Sequence, residues 1–357
     1  MLIIDAHLDL AWTALQWNRN LQESAYTIRA TEVGVPGKGR AQNTVSLPDM
    51  RRGRIALGFV TMLARATGRK VEYLDYGSQA QAYGVAKGQL AYYRALEMDG
   101  QARIIEDAES LRAHIAEWEA WEAGGADPPA TPPLGFVLSM ESADPIRDPA
   151  QLEAWWAAGL RLLGPTHYGP GRYAGGTGSE LGLSALGEPL LREMTRLGML
   201  LDLTHFSDEA FWQAVKIYDG LVLASHNNCR ALVPHQRQFS DEQLKLIIER
   251  DGVVGAAFDI WMLKPGFIRG DSNEGVFIEN VVDHIDHICQ LAGSSRHAAI
   301  GSDLDGGFGR EQSPCDLDTI ADFQRLPAML SARGYDAVDI KNIMRDNWLR
   351  LLYRAWT

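Results

Sequence analysis

Cysteine is scarce: Cys229, Cys289 and Cys315 are the only three in 357 residues, an odd number without CxxC spacing. That excludes a disulfide framework and a thiolate zinc site, and leaves reduced thiols as the expectation. Positive charge is also short, with Lys+Arg 34 against Asp+Glu 46 and a net charge of -12. Such a surface repels phosphate backbones and anionic lipid, so neither nucleic acid nor a membrane is expected as a partner. No apolar run approaches the roughly 18 residues of a membrane span. Met1 leads directly into an apolar strand without a basic leader, and Leu351–Thr357 has no resemblance to a lipid-anchor signal. A cytoplasmic location is the expectation.

What is present is core: 46% of the residues are hydrophobic, enough for one large barrel domain, 1–357, in preference to two smaller ones. Aliphatic runs at the start of the chain (Leu2 onward), at 55–64, 134–140, 160–164, 199–204, 221–225, 252–257 and 298–302 predict strands. Helices are predicted at 78–98, 107–123, 149–158, 185–197, 207–218, 240–250, 277–292, 316–332 and 336–354. Eight parallel strands alternating with helices close an α/β fold of the (β/α)8 TIM-barrel kind. Residues 16–54 form a long insertion after strand one, expected as a loop over the barrel mouth. Its Gly34–Arg40 segment has no GKS or GKT ending and so is not a phosphate loop. Trp118 and Trp121, three apart, are expected to pack on the barrel wall, and Gly124–Pro133 to turn at the surface.

Several runs end in acids and imidazoles: His7 and Asp9, Glu141, His205, His226. Ligands on parallel sheets bind beyond the carboxyl ends of the strands, so these side chains converge on one mouth. Residues two apart on an extended strand share a face, which pairs His7 with Asp9. Imidazole nitrogen and carboxylate oxygen suit zinc, and a glutamate from another strand can bridge two ions about 3.5–4 Å apart. A single histidine after a strand is more often a hydrogen-bonded core residue; four ligand positions at strand ends weigh against that. The arrangement predicts a metal-dependent hydrolase.

Asp5–Asp9, Glu141-Ser142, the block Gly182–Gly187 through Arg192–Met199 to Asp202–His205, Ser225-His226 and Gly301–Gly307 together resemble the renal (membrane) dipeptidase family, the M19 branch of the amidohydrolase superfamily, in its bacterial, unanchored form. The resemblance spans about residues 2 to 350. It implies two zinc ions, with His7 and Asp9 on the first, Glu141 bridging, His205 and His226 on the second, and a bridging hydroxide attacking a dipeptide, with acceptance of a C-terminal D-residue left open. It further implies that His167 contacts the scissile carbonyl oxygen or oxyanion and that Arg237 holds the substrate carboxylate, with Arg230 as its rival. Asp303 is preferred as proton carrier over Asp305, which the following glycines assign to a loop. His284 and His287 fall on a helix pointing away from the mouth and are expected to be structural; His114, His235 and His297 have no assigned partner. Two alternatives stand beside the dipeptidase: another binuclear-zinc amidohydrolase acting on a lactone or N-acyl amide, and a non-catalytic scaffold. The assembly state is open, a homodimer among the options.

Overall fold

Runs that are aliphatic on both faces become parallel strands, because helices cover one face and the barrel interior the other. The computed structural model describes residues 1–124 and 130–356. Its strands are β1 (Ile3–Leu8), β2 (Ile55–Leu63), β3 (Ala102–Ile104), β4 (Leu134–Glu141), β5 (Leu160–Gly164), β6 (Leu200–Asp202), β7 (Val222–Leu223), β8 (Val254–Ala256) and β9 (Ala298–Ile300). Pairing runs β1-β2-β4-β5-β6-β7, and β8 pairs with β9. A parallel bridge between Ala224 and Val254 carries the order from β7 to β8. The curl returns to β1 through Asp5, whose carboxylate accepts the Ser302 N–H at 2.8 Å and the Ser302 hydroxyl. The Asp303 N–H adds a bond to the His7 carbonyl at 3.2 Å. Leaving β3 aside, eight parallel strands follow one another around a TIM-type barrel.

β3 is unexpected. It pairs with Leu134–Phe136 of β4, on the side where Leu138–Glu141 pair with β5. Three residues are too few to show a period-two pattern in sequence.

Alternation along the strands separates two cores. Ile4, Ala6, Leu57, Phe59, Val137, Leu162, Leu200 and Leu223 cluster with Trp348 from the C-terminal helix. The Trp348 ring meets Phe59 edge-on at 5.3 Å, and its indole N–H donates to the Ile300 carbonyl at 2.9 Å. Val60, Met62, Leu138, Leu160, Leu163 and Leu201 belong to the larger outer cluster, which the helices cover. Strand approach is tightest where Gly301 passes β7: a Cβ there would lie 1.6 Å from the Ser225 carbonyl oxygen, so only glycine fits.

The stretch 16–54 departs from the expected loop. It carries helices at Ala25–Thr31 and Leu47–Arg52, capped by Ser24 and Ser46, whose hydroxyls accept the Thr27 and Asp49 N–H groups. The expected 316–332 helix divides into a 3-10 turn, Ile320–Arg325, and a helix, Leu326–Ala332, with a proline in the first turn of the latter. The 336–354 helix is interrupted by a π-turn at Asn342–Asp346 and continues to Trp356. Trp118 and Trp121 pack edge to face at 5.4 Å. Residues 125–129 of the expected surface turn lie outside the described residues. Among the described residues no helix is long and apolar enough to cross a membrane.

Candidate metal centre

Every candidate ligand sits where a strand gives way to its following loop. Glu141 is the last residue of β4, and His167, His205, His226 and Asp303 are each the third residue past the end of β5, β6, β7 and β9. His205 (φ 68), Asp303 (φ 59) and Ser142 (φ 69) are left-handed. For a non-glycine residue that costs on the order of 1–3 kcal/mol and persists only where surrounding contacts impose it. The same turn ends the ladder early, so the strand expected at 199–204 stops at Asp202. His7 and Asp9 come together by a different route from the one alternation suggested. The β1–β2 register shifts between Asp5 and Leu8, and Asp9 lies past the strand at the N-cap position of the helix Leu10–Gln16, its carboxylate making no capping bond.

Glu141 faces two ways. Its Oε1 is 3.0 Å from His205 Nε2 and 3.3 Å from His226 Nε2, while its Oε2 is 3.7 Å from His7 Nε2. His7 Nε2 also stands 3.7 Å from Asp9 Oδ2 and 3.9 Å from Asp303 Oδ1. His7 Nε2, Asp9 Oδ1 and Glu141 Oε1 are buried without a hydrogen-bond partner among the described residues. Orphaned buried polar atoms are costly, and three of them within one ligand cluster fit bound cations. All the donors are nitrogen or oxygen, with no thiolate, which suits a divalent ion.

The hydrogen bonds behind the rings set their tautomers. His226 Nδ1–H donates to Ser225 Oγ at 2.9 Å, because that hydroxyl is spent on the Asp202 carboxylate. Thr177 Oγ1 lies 2.9 Å from His205 Nδ1 and can accept its hydrogen while the threonine hydroxyl turns to the His205 carbonyl at 3.3 Å. With both hydrogens on Nδ1, each Nε2 is a lone pair, and the two face each other at 3.2 Å; two acceptors so placed need a cation between them. Replacing Ser225 by Ala is expected to weaken metal retention about 10–100-fold, as removal of such supporting partners does. Competition against a graded chelator checks it.

Electrostatics agree. Burial disfavours the charged form of His7, but the carboxylates of Glu141, Asp9 and Asp303 outweigh it and lift its pKa to about 10. Burial raises Glu141 and Asp303, opposed by His7 and reinforced by Asp9. Burial holds His205 and His226 well below the usual histidine range, aided by the Arg237 guanidinium at His205 and by His7 and then Arg237 at His226, so both are neutral and fit to ligate. A cation among these oxygens would remove their mutual repulsion.

The remaining candidates separate by contact. His167 Nε2 is 3.8 Å from Glu141 Oε2, and its Nδ1 accepts from Arg65 Nη1 at 3.0 Å. Arg237, 2% exposed, donates to the Asn227 side-chain oxygen at 2.6 Å and to the His226 carbonyl at 2.8 Å. Its rival Arg230 is engaged elsewhere, with Asp208 at 2.7 and 2.9 Å. Asp305 is saturated: its carboxylate accepts from Thr44 N–H (2.9 Å), Thr44 Oγ1 (2.7 Å), Val45 N–H (3.1 Å) and the Asn43 amide, with Arg19 at 3.4 Å. It anchors the long segment after β1, whereas Asp303 stays among the ligands, where a Cβ on Gly306 would fall 2.0 Å from its Oδ1. His284 and His287 face away: His284 Nδ1 accepts the Cys229 N–H at 3.1 Å, and His287 pairs with Asp241 at 2.8 Å. His114 and His297 meet the carbonyls of Ala56 and Gly252, and His235 Nδ1 accepts the Arg237 N–H. Arg65, Thr177 and Asp202 were not anticipated as parts of the site. The rule that singled out the candidate ligands, a polar residue just past an aliphatic run, also points to Arg65, which follows Ile55–Ala64.

A barrel with this cluster at its mouth defines a metal-dependent hydrolase of the amidohydrolase type. A sequence model of the membrane dipeptidase family, peptidase family M19, matches residues 1–356, and the chain belongs to that family. An uncharacterized protein from the pqqA 5′ region of Klebsiella pneumoniae is 33% identical over 234 residues, covering 62% of this chain and 83% of that protein. An uncharacterized dipeptidase of Schizosaccharomyces pombe is 31% identical over 223 residues, 61% of this chain and 52% of its own length, so the chain spans about half of that relative. Among solved structures, a metallopeptidase described as dipeptidase AC of family M19 superposes with a TM-score of 0.76 at 25% identity, covering 100% of this chain and 99% of that one. A Rhodobacter sphaeroides metallopeptidase, liganded with a phosphinate mimic of the dipeptide L-Ala-D-Ala, gives the same TM-score, identity and coverage.

Proposed function

We propose that the chain is a two-zinc dipeptidase, with His7 and Asp9 holding one ion, His205 and His226 the other, and Glu141 between them. The observation that carries this is the division of Glu141, one oxygen toward each histidine group. When bound, the ions supply Lewis acidity and, by lowering the pKa of water towards roughly 7, a hydroxide nucleophile at neutral pH. His167 offers an Nε2–H to the carbonyl oxygen as it gains charge. Asp303, at the mouth with its side chain 15% exposed, takes the proton and returns it to the leaving amine.

Arg237 selects the substrate. A buried guanidinium held rigid by Asn227 and the His226 carbonyl keeps N–H groups for a carboxylate, favouring peptides whose free carboxyl lies one residue past the scissile bond over lactones or N-acyl amides. The L-Ala-D-Ala mimic held by the Rhodobacter relative supports extending the substrates to dipeptides with a C-terminal D-residue. The test is hydrolysis of L,L and L,D dipeptides, free and C-terminally amidated, by zinc-loaded protein. Free dipeptides should be cleaved and amidated ones spared; equal cleavage of both, or of neither, would contradict the proposal.

Arg237→Met should raise KM for dipeptides about 10–100-fold, matching the ~1.5–3 kcal/mol of hydrogen bonds to charged groups. Arg230→Met removes a partly exposed pair with Asp208, worth about 0–1 kcal/mol, and donors to the Gln238 and Gln236 carbonyls, so it should raise KM far less than Arg237→Met. Steady-state kinetics on one dipeptide decides between them.

A further inference from the structure

We propose that Arg65 is a positioning residue that fixes the tautomer of His167, making it a hydrogen-bond donor toward the metal cluster and keeping it from becoming a ligand. Arg65 follows β2, 2% exposed. Its backbone is pinned on both sides, N–H to the Leu74 carbonyl at 2.9 Å and carbonyl to the Tyr76 N–H at 2.8 Å. Its guanidinium forks, Nη2 to the Asp75 carboxylate and Nη1 to His167 Nδ1 at 3.0 Å. Thr67 Oγ–H also donates to Asp75, so the pair is held in place.

A guanidinium has no acceptor and does not give up its proton, so His167 Nδ1 must be the acceptor. The neutral ring then carries its hydrogen on Nε2, the atom nearest Glu141 Oε2. His226 is the reverse: its Nδ1 meets a Ser225 hydroxyl already spent on the Asp202 carboxylate, which leaves Nε2 bare, and His205 Nδ1 likewise faces a hydroxyl, that of Thr177, instead of a guanidinium. Within one pocket, a guanidinium or a spent hydroxyl behind the ring decides which histidine donates and which ligates. The functional consequence rests on His167 being the oxyanion donor proposed above; the tautomer assignment does not.

The test is long-range ¹H–¹⁵N correlation on zinc-loaded protein labelled in its histidines, with His167→Asn used for assignment. Wild type should show His167 with hydrogen on Nε2. Arg65→Met/Asp75→Asn, which removes the arginine without stranding a buried carboxylate, should lose that single tautomer. Its kcat should fall about tenfold, less than the ~10²–10³ lost when an oxyanion donor is deleted, with KM and zinc content near wild type. Asp75→Asn alone keeps the Arg65–His167 contact and should keep the tautomer whatever its cost in stability. An Nδ1–H form in wild type, or an unchanged tautomer in the double variant, would overturn the proposal. If the tautomer behaves as expected while His167→Asn keeps full turnover, the oxyanion role fails and the assignment to Arg65 stands.

Discussion

Glu141→Gln is expected to lose metal and activity together. The amide presents an NH2 to one of the two histidine groups that the carboxylate oxygens now face, so at most one ion should remain. Loss of a partner that merely supports a ligand costs about 10–100-fold in metal affinity or activity; loss of the shared ligand should exceed that. Elemental analysis after dialysis against a weak chelator, with dipeptide turnover on the same sample, checks both. Retention of two ions at near-normal turnover would remove Glu141 from the bridge.

The second large effect separates two neighbouring aspartates. Asp303→Asn should keep both ions and bind substrate, yet lose about 10²–10⁴ in kcat, the range for a removed acid–base group. Asp305→Asn should act on stability instead. Its carboxylate accepts from Asn43, Thr44 and Val45, and an amide turned toward those donors leaves buried groups unpaired, at about 1–3 kcal/mol. Denaturant unfolding beside kinetics resolves the pair. A 305 variant of normal stability with collapsed kcat, next to an active 303 variant, would reverse the roles.

The candidate ligands were legible because the strand runs are mainly apolar, so an acid or imidazole at the end of a run stands out. His205, His226 and Glu141 follow that rule, and His7 lies one residue before the end of β1. Strand lengths were less legible, since left-handed turns at His205 and Asp303 end the ladders before the apolar pattern does. The helices within 16–54 bury only Ala25 and Ile28 in one case and Leu47, Asp49 and Met50 in the other, too few for an amphipathic stripe. His7 and Asp9 come within 3.7 Å of each other through the register shift and the turn into the following helix rather than through strand alternation alone. Arg65 was missed because its partner His167 is 102 residues away and a single arginine after a strand resembles a surface cation. Asp202 hides in the same way, as its role is visible only through Ser225 and His226.

The most direct test of the two-metal account is a crystal structure of the zinc-loaded protein with anomalous scattering measured at the zinc edge. Two peaks are expected, about 3.5–4 Å apart, one between His7 and Asp9 and the other between His205 and His226, with a Glu141 oxygen on each and His167 on neither. A single peak, a Glu141 carboxylate turned away from both, or His167 Nε2 bound to either ion would contradict it.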